Sequence, residues 1–318
     1  MADALTEWAK LEKDLVLKGV FEEIITHDAL MPLLRFKTFE GNSLVYNREL
    51  TLPSSNTHAV GDTWSTTKPT FTKKTATLTT VGTQSGVDLY IRETRGSVQD
   101  PNAVNLQLMT KSLTREIARL IIKGEPEATS THFEGLDSLC RSETRMMAMD
   151  DGNVDGPGTA ETELTLDRLD AAIDQVDDGQ TQPDALIMNT TMRRKLTSLS
   201  RASGSGVVMD EIEMYGHQVR RYNGIPIIIT NHITDSETYN DSGTWSSSTA
   251  TTIFGVQFGE EKQGYTIIHN GPVLTPKVRN LGVRSNEEIE EYRMVSYLQA
   301  VTFSTKRVIA LGGIDSAS

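Results

Sequence analysis

A single cysteine, Cys140, stands among 318 residues, which excludes an internal disulfide framework and a cysteine-rich metal cluster. No apolar run approaches the roughly 18 residues that a membrane-spanning helix requires. Positive charge is in short supply. Lys+Arg 31 against Asp+Glu 43 leaves a net charge of -12, a poor balance for wrapping a polyanion with the whole surface, though compatible with a local basic patch. The six histidines (His27, His58, His132, His217, His232, His269) form no HxxxH or HxH pair, so they offer no zinc site. The phosphate-cradling patterns GxxxxGK[ST] and GxGxxG are absent, and Gly204-Ser205-Gly206 lies in a flexible run rather than at a strand-to-helix elbow. The opening MADALTEWAKLEKDLVLKG alternates acids and lysines, unlike a secretory signal, and predicts a chain made in the cytoplasm. What is present is 37% hydrophobic residues, enough for a sizeable core. No enzymatic activity and no cofactor are expected.

Periodicity organises the chain. Residues 6–28 read as an amphipathic helix capped by Thr6, with Trp8, Leu11, Leu15, Phe21, Ile24 and Ile25 on one stripe. FKTFEGNSLVYNRELTL and FTKKTATLTTVGTQSGVDLYI are strand-like and flank a turn-rich segment bounded by Pro53 and Pro69. Neither strand has a clean apolar face, so such a hairpin has no core of its own and needs cover from the rest of the domain or from another subunit. The strongest local signal is a helix over 100–123: Asp100 caps, Pro101 opens, Leu106, Met109, Leu113, Ile117, Leu120 and Ile121 recur at helical spacing, and Gly124 stops it. Beyond it, a helix capped by Thr165, the buried strand DALIMN, a helix capped by Asn189 or Thr190, the hairpin RRYNGIPIIITNHI and the strand-turn-strand TTIFGVQFGEEKQGYTIIHN predict an α/β layer. The stretch EEIEEYRMVSYLQAVTFSTKRVIALGG predicts long antiparallel strands.

Candidate sites are few. Asp151, Asn153, Asp155 and Gly156 match the opening of a calcium loop, but its twelfth position is Thr162 where a bidentate Glu is needed, which favours a solvated surface loop. Cys140 has no base nearby in sequence and reads as a small packed hydrophobe. Lys73/Lys74, Arg193/Arg194/Lys195 and Arg220/Arg221 are small basic clusters with no interleaved aromatics, suited to solubility or to salt bridges between subunits.

Four segments, in this order and spacing, resemble the tailed-phage major capsid proteins of the HK97 fold. They are LTREIARLIIKGEPEATSTHFEGLDSL (113–139), LDRLDAAIDQVDDGQTQPDALIMNTTMRRKL (166–196), YNGIPIIITNHI (222–233) and TIFGVQFGEEKQGYTIIHN (252–270). The resemblance covers roughly 37–312. It implies an α+β fold with an N-terminal arm (1–36), an extended loop (37–85), a peripheral domain (86–163 and 271–318) with a spine helix at 100–123, and an axial domain (164–270). It implies a virion shell of hexamers and pentamers, assembled in the host cytoplasm, that encloses double-stranded DNA without reading its sequence. Separate scaffolding and portal proteins would be partners, with decoration proteins an optional addition, and no membrane is involved. The strand-rich segment starting by residue 37 leaves no room for the cleavable scaffolding segment of some relatives. Inter-subunit contacts are expected from Trp8, Trp64, Lys68, Lys73, Lys74, Arg193 and Arg194. Where relatives crosslink a loop lysine to an asparagine, Lys68, Lys73 or Lys74 would donate and Asn270, Asn280 or Asn286 would accept, with no assignable catalytic Glu. An encapsulin-type nanocompartment shares the fold and stays open as an alternative, as do another virion protein and a hydrolase.

Overall fold

Asp100, Pro101 and Gly124 set the ends of the longest helix, as their residue types predict. The computed structural model describes residues 30, 33–64, 66–95, 100–126, 129–154, 161–202, 209–214, 217–239, 245–246, 249–261, 263–270 and 277–317. The helix expected at 6–28, with Trp8, lies outside these residues. A short helix α1 (Leu89–Arg95) precedes the long one, α2 (Pro101–Lys123). The Asp100 carboxylate accepts from the Asn102 N–H at 3.0 Å, and the Gly124 N–H closes the last turn on the Leu120 carbonyl at 2.8 Å. Met109, Leu113, Ile117, Leu120 and Ile121 form the buried stripe of α2. Gly124 and Gly135 then meet backbone to backbone, the Gly135 N–H donating to the Gly124 carbonyl at 2.8 Å. A Cβ on Gly124 would collide with the carbonyls of Phe133 and Leu120, so close approach rather than φ demands glycine there. Helices α3 (Leu136–Ser142), α4 (Leu166–Asp174) and α5 (Thr190–Ala202) follow. Thr165 caps α4, and Asn189 rather than Thr190 caps α5, its Oδ1 accepting from the Met192 N–H at 2.9 Å.

In chain order the strands are β1 (Phe36–Thr38), β2 (Ser43–Thr51), β3 (Thr70–Thr77), β4 (Thr79–Asp88), β5 (Met146–Ala148), β6 (Ala185–Met188), β7 (Met209–Met214) and β8 (His217–Tyr222). Then come β9 (Ile225–Ile229), β10 (Thr238–Tyr239), β11 (Trp245–Ser246), β12 (Ala250–Val256), β13 (Tyr265–His269), β14 (Lys277–Val283), β15 (Ile289–Thr302) and β16 (Val308–Asp315). A five-stranded sheet is built on the 14 residues of β15. Strand β4 lines one edge of β15, while β14 and β13 share the other edge in tandem, and β1 runs parallel to β13. A seven-stranded mixed sheet has the order β5-β16-β12-β6-β9-β8-β7. The β8–β9 hairpin turns at Asn223 and Gly224, with φ of 48° and 82°, the left-handed pair that an Asn-Gly turn supplies.

The strand-turn-strand expected at 252–270 is present, its two strands dividing between the two sheets. Strand β12 belongs to the seven-stranded sheet and β13 to the five-stranded one, and only the isolated bridge Phe258–Tyr265 joins their ends. Consecutive β15 and β16 separate in the same way. Strand β13 thus shares a sheet with β4, β14 and β15, and β5 and β16 share one with β6, β9 and β12. The physical reason is burial on both faces. In β6, Ala185 and Ile187 face one apolar cluster while Leu186 and Met188 face another, and Val308/Ala310 against Ile309/Leu311 repeat the alternation in β16. Such strands belong in a sheet interior, whatever their sequence neighbours do. The first cluster runs from α2 (Leu113, Ile117, Ile121) through Ile267 and Leu298 to Ile187 and Phe254, joining both sheets in one core. The second packs α4 and α5 (Leu169, Ile173, Leu196) on the far face of the seven-stranded sheet. No described helix is long and apolar enough to cross a membrane.

Candidate assembly surface

Strands β2 and β3 pair from Ser43↔Thr77 to Thr51↔Thr70, leaving residues 52–69 as the tip of a long hairpin. Its root rests on its own subunit. Leu44, Tyr46 and Leu78 pack with Ala76 against Ile268, Val301 and Phe303, and the Tyr46 and Phe303 rings meet edge-on at 5.3 Å. The rest of the docking is polar. Arg48 Nη1 donates to Glu143 Oε1 at 2.6 Å and Arg48 Nε to the Phe303 carbonyl at 3.1 Å, while Tyr46 Oη donates to the Thr302 carbonyl at 3.2 Å. From the neighbouring strand, Lys74 Nζ donates to the same Glu143 oxygen at 2.9 Å. The domain body thereby covers the root, through a small apolar cluster joined by charged contacts. Burial pushes the Glu143 carboxyl up, but hydrogen bonds from Lys74 and Arg48 outweigh this and hold it below the usual carboxylate range.

Beyond the root the hairpin stands clear. Every described residue from 51 to 70 except His58 is exposed. Among the described residues, six of the eleven exposed large hydrophobics lie on this hairpin: Val45, Leu50, Leu52, Val60, Trp64 and Phe71. Trp64 remains 73% exposed even though its ring lies 3.9 Å from that of His58. Exposed apolar side chains on a projecting hairpin are suited to contact with another molecule. Lys68 lies at the exposed tip and Lys73 on the outward face of β3, whereas Lys74 is engaged by Glu143 within the subunit. A second exposed apolar strip is β14, where Val278, Leu281 and Val283 lie on a strand that is at the sheet edge among the described residues.

The remaining sequence candidates scatter. On α5, Arg194 is exposed and Arg193 half-buried, far in sequence and in the sheet order from the hairpin. Asp151 Oδ1 accepts from the Asn153 N–H at 2.9 Å and Oδ2 from Asn153 Nδ2 at 2.8 Å, a local Asx turn; Asp155 lies outside the described residues. Among the described residues no three His, Cys, Asp or Glu side chains are grouped to hold a metal ion. Cys140 is fully buried, and desolvation pushes its thiol far above the ordinary range, which makes it inert.

Sequence reasoning missed Arg48 and Glu143, and it missed a buried ion cluster at the end of α2. Lys123 Nζ lies 2.9 Å from Asp137 Oδ2 and 2.9 Å from Glu237 Oε1. Arg141 reaches Asp137 at 3.4 Å and also pairs with Glu125, and Thr252 Oγ1 donates to Glu237 Oε2 at 2.9 Å. Burial pulls the Lys123 ammonium down, but the two carboxylates outweigh it and the net direction is up. The cluster ties α2 and α3 to the seven-stranded sheet. No sequence signal announced it, because isolated charges in polar runs read as solvated faces.

A family model for the shell protein of type 2A encapsulins, SrpI-like, matches residues 184–315. The holo-SrpI encapsulin complex from Synechococcus elongatus PCC 7942 superposes with a TM-score of 0.69 at 15% identity, over 93% of this chain and 90% of that one. The capsid asymmetric unit of Cyanophage A-1(L) gives 0.63 at 11% identity, over 92% and 96%. The capsid of an empty GTA particle gives 0.61 at 15% identity, over 91% and 97%. No curated protein matches the chain in sequence. At such identities the likeness is one of architecture, and the chain has the HK97 fold of capsid-type proteins.

Proposed function

We propose that this chain is the major capsid protein of a tailed virus, assembling in many copies into an icosahedral shell around double-stranded DNA. The observation that carries the assembly is the hairpin: a root clamped to its own body and a tip, carrying Leu52, Val60 and Trp64, that its own body leaves exposed. A subunit with a rigid two-sheet body and a projecting loop suits repeated contacts in slightly different settings, as hexamers and pentamers require. Association at several surfaces per subunit makes assembly steep in concentration. The role is mechanical rather than enzymatic. Scaffolding and portal proteins would be separate chains. The likeness to phage and GTA capsids over nine-tenths of both chains supports a DNA container. The net charge of -12 supports the same reading, since a like-charged wall lets DNA slide.

A second reading, an encapsulin-type nanocompartment that encloses protein, is favoured by the family model over 184–315 and by the likeness to SrpI. Electron microscopy of the purified protein, with sedimentation and the ratio of absorbance at 260 and 280 nm, separates the two. Shells that co-purify with nucleic acid, or that form empty and fill with it when the neighbouring phage genes are co-expressed, support the capsid. Shells filled with a co-purified enzyme support the nanocompartment. A monomer that never assembles overturns both.

A further inference from the structure

A cavity of ≈ 420 Å³ opens between α2, β4 and the loop after β9, lined by Thr83, Ser112, Arg115, Glu116, Arg119 and His232 together with Gly82 and Leu113. Its size falls within the range of small-ligand pockets, but its lining is polar and rich in hydrogen-bond donors. In a protein of net charge -12, this pocket gathers two guanidiniums and an imidazole against a single carboxylate. That carboxylate is already engaged: Glu116 takes a two-pronged grip from Arg119, Nε at 2.9 Å and Nη2 at 2.6 Å. The Arg119 hydrogen bond, followed by the charge of Arg119 and the nearby His132 and His232, holds the Glu116 carboxyl below its usual range against the opposing effect of burial. The Arg115 side chain, exposed and one turn before Arg119 on α2, makes no hydrogen bond or ion pair with any described residue. Its planar fork of donors faces no competing protein acceptor.

We propose that this cavity is a binding site for a phosphate-class oxyanion, with Arg115 as the principal anchor. Donors lie on three sides: Arg115, Arg119 and Ser112 from the helix, Thr83 from the strand, and His232 from the loop. Such an arrangement suits a tetrahedral group with several acceptor oxygens better than a flat carboxylate, and it excludes a metal cation. The same chemistry is presented by free phosphate and by the phosphodiester backbone of a nucleic acid. The site stands on this local geometry and not on the shell reading.

The test is calorimetric titration of the full-length protein with inorganic phosphate and, separately, with a short DNA duplex, each against matched ionic strength. An Arg115→Gln variant, which removes no hydrogen bond or ion pair to a described residue, weakens phosphate binding by about tenfold or more, and Arg115→Lys falls between because it keeps charge without the fork. Duplex binding, with a salt dependence that Arg115→Gln makes shallower by about one unit, assigns the site to nucleic acid. Phosphate binding alone assigns it to a free phosphate ligand. Failure of both probes, an Arg115→Gln protein that titrates like the parent, or binding of an acidic peptide only, overturns the site. Electron microscopy of the same samples reports assembly independently, so failure here leaves the shell reading standing.

Discussion

Arg48 and Glu143 are 95 residues apart in the chain and 2.6 Å apart in space, and with Lys74 they fasten the root of a projecting hairpin to the body of its own subunit. The side chains of Arg48 and Glu143 are 11% and 15% exposed, so this pair is better shielded than an ordinary surface ion pair.

Glu143→Gln removes the charge that both cations share while keeping a polar group in place. Local opening of the β2–β3 root is expected to become easier by about 2 kcal/mol, the worth of hydrogen bonds to a charged group. Hydrogen exchange of the amides in 43–51 and 70–77 checks this. Unchanged protection there would mean that Tyr46, Phe303 and the apolar contacts hold the root without the ion pair.

The same carboxylate sets a pH dependence. Its folded pKa is depressed, so its contribution is fully present above the unfolded value of about 4.3 and is lost as pH falls through the folded value. Root protection is expected to be flat from neutrality down to about pH 5 and to decline below about pH 4. A Glu143→Gln protein whose acid decline parallels that of the parent would assign the titration elsewhere.

Lys123→Met leaves the buried carboxylates of Asp137 and Glu237 facing each other without their shared cation. A loss of about 3 kcal/mol in unfolding free energy is expected. Adding Asp137→Asn and Glu237→Gln recovers part of it. A double-mutant cycle by chemical denaturation gives the coupling, and additive effects would contradict the bridge.

Gly124→Ala places a methyl group against the Phe133 and Leu120 carbonyls, which are backbone and cannot swing aside. The expected cost is about 3 kcal/mol or more, visible as low soluble yield or a sharply lowered Tm. An alanine protein of parental stability would mean that the α2–α3 junction relaxes freely.

Deletion of residues 54–70 removes exposed tip and leaves the clamped root. Circular dichroism and Tm of the isolated subunit are expected to be unchanged, while closed particles fail to form or lose thermal stability. Particles that still form with unchanged thermal stability would remove the tip from the assembly.

The residues themselves carried much of the local structure. Asp100, Pro101 and Gly124 bounded α2 to the residue, Thr165 and Asn189 marked two helix starts, and Asn223-Gly224 marked a hairpin turn. Each of these signals acts through hydrogen bonds or φ preferences within about four residues, so it is readable from a short window. The candidate surface was half legible. The lack of an apolar face on 37–85 flagged a hairpin in need of cover, and Trp64, Lys68 and Lys73 lie exposed on it. Lys74 looked the same as Lys73 in sequence, but the alternation of the strand turns it inward to Glu143.

The sequence by itself determined the ends of α2, the starts of α4 and α5 and one hairpin turn, that no internal disulfide can form, and that one segment needs cover from outside itself. Only the tertiary structure decided which sheet each strand joins. It parted β12 from β13 and β15 from β16, and it brought Glu143 to Arg48 and Glu237 to Lys123. The physical reason is that strand choice and buried ion pairing depend on partners tens to hundreds of residues away. Apolar strands such as ALIM and VIAL are locally alike, and burial on both faces, which no short window reveals, selects the sheet that takes them.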